Sequence, residues 1–202
     1  MTLTDQTNDI NNITANTISY DSYLEKLNQA ANVDETNLNE EEKDNLSKTK
    51  LNIQRVNRIH KTYNEDENLK AIVSKIDAPQ KWILISETWC GDSAQNVPYI
   101  VEMTKFNPLI DLEIVLRDEN PEFMDLYLTN GTRSIPKLIA FNEEGQELFQ
   151  WGPRPKEGAD LVKKLKDEGK SKTEFLEQLH LWYGRNRGKA LEKEFIELLS
   201  SI

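Results

Sequence analysis

The 202-residue sequence contains a single cysteine, Cys90, so no disulfide can close within one chain. That usage suits a reducing compartment. Basic charge is also in short supply. Against 35 Asp and Glu stand 25 Lys and Arg, a net charge of −10 with an isoelectric point near 4.8. A chain of that sign is not expected to bind nucleic acid or an anionic membrane. No uninterrupted apolar stretch approaches the ~20 residues that span a bilayer. The opening Met1-Thr2-Leu3-Thr4-Asp5 has no basic segment followed by an apolar run, so no signal peptide is expected and the expected location is the cytoplasm. Metal-ligand spacing is missing too. His60 has no second ligand at useful distance and reads as a packing histidine, while the acidic run Glu40–Glu42 reads as helix-capping charge. Neither a metal nor another cofactor is expected.

What is present centres on Lys81–Val97. Trp82, Ile83, Leu84 and Ile85 form a continuous apolar run of the kind a buried strand uses. Ala94, Val97 and Val101 then recur at helical spacing. Cys90 therefore falls where a buried strand gives way to a helix. Unpaired N–H groups and the positive end of the helix dipole stabilise a thiolate there. Reactive cysteines occupy such places, although a free cysteine is also commonly a small packing residue.

The flanking chain divides by pattern. Residues 1–18 are rich in Asn and Thr without sustained periodicity and are expected to be disordered or extended. A helical extension is expected over 19–64: a short helix over Tyr20–Ala31, then a longer one opened by Asn39 and running to about Tyr63. Leu46, Thr49, Ile53, Val56, His60 and Tyr63 should line one stripe of that second helix. The main domain is expected over 65–168. It opens with a helix carrying Leu69, Ile72, Val73 and Ile76, and Pro98 kinks the helix after Cys90. A second strand over Leu112–Leu116 precedes Asn120-Pro121, where proline opens another helix. Ser134-Ile135-Pro136 leads into a third strand, which makes Ile135–Pro136 a candidate cis peptide. Gly145 marks a hairpin turn to a strand ending at Trp151. A helical extension over 169–202 closes the chain, with a first helix interrupted by the Gly184–Gly188 segment.

Taken together, strand, Trp-Cys-Gly, proline-kinked helix, strand, Asn-Pro helix, Ile-Pro, hairpin and helix resemble the thioredoxin family. Trp89, Cys90, Gly91, Pro98, Asn120-Pro121, Arg133, Ile135, Pro136 and Gly152 carry the resemblance. The chain looks like a bacterial single-cysteine branch of that family. The resemblance implies an α/β thioredoxin-like fold: a central mixed sheet of about four strands flanked by helices, with extra N- and C-terminal helices. The departures are informative. Where the family has a second cysteine this chain has Ser93, and where it has a buried aspartate and its lysine partner there are Leu84 and Ile114.

By that resemblance Cys90 and Ser93 are the catalytic candidates. Trp89, Gly91, Asp92, Arg133, Ile135, Pro136 and Gly152 would contact substrate. The helix N-terminus and Arg133 are expected to move the thiol pKa from about 8.5 toward 7 or below, with Asp92 pushing the other way. The Ser93 hydroxyl is expected to donate a hydrogen bond to the thiolate. Without a resolving thiol, three activities stay open: mixed-disulfide formation or isomerisation, monothiol exchange, and oxidation sensing at one sulfur. Expected partners are protein or low-molecular-weight thiols and disulfides, and a second copy of the chain through the terminal helices. Two other readings remain: a non-catalytic binding module on the same fold, and, from the Cys-Gly-Asp-Ser spacing, a monothiol-glutaredoxin-like protein sharing an iron–sulfur cluster with glutathione.

Overall fold

The computed structural model describes residues 15–202. Strand β2 (Gln80–Ser86) is its axis. It pairs in parallel with β3 (Ile110–Leu116) and antiparallel with β4 (Lys137–Asn142). Strand β5 (Glu147–Trp151) adds antiparallel to β4. The short β1 (Thr17–Ile18) pairs antiparallel with β3, so the sheet has five strands in the order β1-β3-β2-β4-β5. Most of the segment expected to lack structure, residues 1–14, lies outside the described residues. Within them, Thr17 and Ile18 extend the sheet by one strand beyond expectation.

Because β2 is buried on both faces, its alternate residues serve two cores. Trp82 and Leu84 join Ile114, Leu138 and Ala140 in one. Ile83 and Ile85 join Val115, Ile139 and Phe141 in the other. Leu84 stands directly beside Ile114 in the β2–β3 register, and neither is exposed to solvent. The sheet centre is thus hydrocarbon where the family resemblance leads one to look for an ion pair.

The first core carries most of the helices. Helix α1 (Tyr20–Ala31) begins at the Ser19 cap. Helix α2 (Glu40–Thr62) begins at a full capping box between Asn39 and Glu42. The buried stripe of α2 is Leu46, Thr49, Asn52, Val56 and Ile59, not the Ile53–His60–Tyr63 continuation expected. Asn52 is drawn in because its side-chain amide donates to Thr88 O at 2.9 Å, which rotates Ile59 rather than His60 inward. Helix α3 (Glu67–Val73) and the site helix α4 (Gly91–Thr104, with Pro98 inside) pack on the same face. The opposite face is covered by the short α5 (Pro121–Asp125) through Phe123 and Met124.

After β5 come α6 (Lys156–Asp167), α7 (Lys172–Asn186) and α8 (Lys189–Leu199). Helix α7 runs through Gly184 without interruption. The break falls at Arg187 and Gly188, both with left-handed φ, 52° and 87°. A glycine inside a helix costs only about 1 kcal/mol, which tertiary packing overrides here. Leu179 and Tyr183 bury the face of α7 in the two turns before that position. Helix α8 enters the first core: Phe195 is fully buried with its ring 5.9 Å from that of Trp82 and 5.6 Å from that of Trp151.

Candidate functional site

Cys90 is the N-cap of α4, in extended backbone conformation, and its side chain takes the place of a capping hydroxyl. The Ser93 N–H donates to Sγ at 3.4 Å, and the thiol donates to Ile135 O at 3.4 Å. The helix start and the Ile135-Pro136 loop thus meet at the sulfur. The Ile135–Pro136 and Gly152–Pro153 peptides are both cis. Gly152 holds that loop from the other side, with φ 115° and a backbone so close that a Cβ there would lie 2.2 Å from Pro136 O. Only glycine allows this approach.

The expectation of an acidic thiol is overturned. Cys90 is only 8 % exposed, and burial, followed by the Asp92 carboxylate, pushes its pKa up to about 11. The N–H groups of Ser93 and Asp92 and the Ser93 hydroxyl pull the other way without prevailing. Losing the hydration of a thiolate outweighs the helix N-terminus here. Arg133 does not assist, because its guanidinium is clamped to exposed Asp125 at 2.7 and 2.6 Å. Ser93 is fully buried; its amide hydrogen-bonds the sulfur, and its hydroxyl, close enough to favour a thiolate, forms no hydrogen bond with the neutral thiol or any other group.

Asp92 turns inward. Its carboxylate accepts from Tyr183 Oη at 2.6 Å and is paired with Arg154. Asn96 completes the set, donating to Tyr183 Oη at 3.0 Å and to Asp92 O at 2.8 Å. Helix α7 is thereby tied to the start of α4. Gly91, the first residue of α4, lets this happen: a Cβ there would sit 2.9 Å from His180 and 3.3 Å from Arg55. His180 is neutral, its pKa lowered to about 4 by burial and by the cations of Arg55 and Arg154. Trp89 is half-buried, donates to Asp118 at 3.2 Å and lies under the Arg117 guanidinium at 4.7 Å.

The structure therefore brings Trp89, Cys90, Gly91, Asp92, Ser93, Ile135, Pro136 and Gly152 together and leaves Arg133 apart. Sequence reasoning missed Arg55, His180 and Tyr183, and gave no role to Arg154. The first three lie on helices outside the stretch that carried the motifs, and nothing local marks them. Trp89, Gly91 and Asp92 also line a cleft of about 680 Å³ between α2 and α7. Among the described residues no group of three or more His, Cys, Asp or Glu is placed to hold a metal ion, and no helix is long and apolar enough to cross a membrane.

Two solved structures share this fold. A Pseudomonas aeruginosa protein of unknown function superposes with a TM-score of 0.54 at 15% identity, over 77% of this chain and 85% of that one. An HIV epitope-scaffold does so with a TM-score of 0.52 at 16% identity, over 77% and 86%. No curated protein matches the chain. A thioredoxin family model matches residues 39–166, taking in α2 as well as Cys90, Pro98, Pro136 and Gly152, and with more than half its length so matched the chain belongs to the thioredoxin family.

Proposed function

We propose that the protein is a cytoplasmic single-thiol redox protein whose Cys90 forms mixed disulfides with protein or low-molecular-weight disulfides. One observation carries the reading: beside the sulfur, the Ser93 hydroxyl is fully buried and unpartnered. An unsatisfied buried hydroxyl costs roughly 1–3 kcal/mol. Deprotonation of Cys90 supplies the acceptor that the hydroxyl lacks, so the site is arranged for a transient thiolate rather than a resting one. Backbone groups of the Ile135-Pro136 loop would align an extended substrate, as strand addition does. With Ser93 in place of a second thiol, the adduct waits for an external thiol to resolve it. The raised thiol pKa favours a second reading, a binding module whose cysteine only packs.

Alkylation of the folded protein by iodoacetamide across pH, followed by intact mass, tests the pair. We expect one adduct, slow reaction at neutrality, a midpoint near 11, and complete loss in Cys90→Ser. Incubation with a small disulfide should give one mixed-disulfide adduct. No adduct with the folded protein at any pH below unfolding would leave the binding module. Visible absorbance and bound iron in anaerobically purified protein would instead favour the iron–sulfur reading.

A further inference from the structure

We propose that the cleft between α2 and α7 binds a low-molecular-weight disulfide bearing a carboxylate on an apolar or aromatic body, and delivers its sulfur to Cys90. The inference rests on the single-thiol reading above and names its substrate class. Small-molecule sites are mostly apolar recesses of roughly 300–1,000 Å³ with a few placed polar groups. This cleft, about 680 Å³, fits that description: Leu51, Leu176, Leu181 and Trp89 line it, with Leu51 and Leu181 about half exposed at 47% and 51%. Two of its lining residues, Trp89 and Gly91, flank Cys90 in the chain.

The charge in the cleft selects the ligand. Lys48 is already paired with Asp44, and Asp92 is already held by Arg154 and Tyr183. Glu177 also lines the cleft but is not bonded to Arg55. Arg55, half-buried, donates to Asn52 Oδ1 at 2.8 Å and forms no ion pair among the described residues. Its charge is disfavoured first by burial and then by Arg58, the condition of a cation awaiting an anion. Next to it His180 is neutral and offers a ring nitrogen without adding charge. Lys48 and Arg55 balance Asp92 and Glu177 in the lining, so the selecting feature is Arg55, a cation of the recess without an ion pair among the described residues. A planar carboxylate matches a guanidinium fork bidentately.

The exchange balances within the two reactants. Cys90 gives up its proton and its sulfur attacks one sulfur of the bound disulfide. The S–S bond breaks, the departing half leaves as a thiol carrying a proton, and the other half stays bonded to Cys90. One disulfide is consumed and one is formed, so no outside oxidant enters.

The test compares 5,5′-dithiobis(2-nitrobenzoic acid), which carries carboxylates, with neutral 2,2′-dithiodipyridine on the full chain. We expect saturable kinetics with the carboxylated probe. Arg55→Gln should lower its rate, relative to that of the neutral probe, about tenfold or more, as loss of a charged hydrogen bond does; Arg55→Lys should recover part of it. A change in thiol acidity alone moves both probes together, so equal losses, or none, overturn the proposal. Calorimetry of the carboxylated probe with Cys90→Ser separates the two readings. Arg55-dependent binding to Cys90→Ser, with wild-type protein that never forms an adduct, upholds the cleft and sinks the single-thiol reading. Adducts that form without saturation or dependence on Arg55 do the reverse.

Discussion

The chain has two histidines, and both reach α4 from another helix, one near each end. His60 lies by the C-terminal end, where Tyr20 Oη stands 2.8 Å from Nε2 and Glu102 stands 2.9 Å from Nδ1. Both ring nitrogens are partnered, and the carboxylate of Glu102 is shared with Lys105. His180 lies by the N-terminal end, beside Gly91, with one long contact of 3.5 Å to Gln95 and two arginines near it. The first histidine joins elements through two partnered ring nitrogens. The second sits where burial and like charge go uncompensated, and the perturbed thiol, the tied aspartate and the cleft are all at that end. Perturbed groups gather where chemistry is done, and here the contrast within one helix points to the N-terminal end.

The strongest way to break the contrast is to remove the carboxylate that Arg154 and Tyr183 hold beside the thiol. Asp92→Asn leaves Arg154 without its charge partner and should destabilise the protein by about 3 kcal/mol in urea unfolding, the lower end of the cost of breaking a pair largely shielded from water. It also deletes the second-largest cause of the raised thiol pKa, so the Cys90 alkylation midpoint should fall from about 11 toward the free-thiol value. A fall in stability with an unmoved midpoint would show that desolvation alone sets the thiol. Next in size is His180. Its folded pKa near 4 lies below the ordinary histidine value of 6.5, so the unfolded chain takes up the proton first. Stability should be intact above 6.5 and decline as pH falls toward 4, by about 2 kcal/mol from this group. His180→Gln should flatten that part of the urea-midpoint profile between pH 7 and 4.5. The smallest effect is expected at the other end: Glu102→Gln breaks partly exposed pairs with His60 and Lys105 and should cost at most about 1 kcal/mol. A larger loss there than at Asp92 would invert the comparison.

The elements built from local signals were legible. The Asn39 cap, the apolar run of β2, Pro98 within α4 and the Gly145 hairpin all lie where short-range pattern puts them. Leu84 beside Ile114 was legible only through the family resemblance, which assigns a partnered pair to those two positions. What escaped was decided between elements. The thiol looked activated from its position at a helix start, yet its acidity is governed by how much water reaches it, and the covering groups come from distant parts of the chain. Arg133 looked available until Asp125, eight residues earlier, claimed it. Asn52 lay outside the stripe expected for α2, whereas its bond to Thr88 O sets which side of that helix faces inward. Tyr183 and His180 carried no motif at all.

Helix α8 lies beyond the 39–166 span of the family match, yet Phe195 wedges between the indoles of Trp82 and Trp151. The boundary drawn by ancestry and the boundary drawn by solvation therefore do not coincide. A fragment trimmed to the family span would keep every motif residue and still leave Trp82, on the central strand, open to water. What looks like an appendage in the sequence is the stopper of the molecule, and the thioredoxin fold here owes part of its interior to a segment outside the family match.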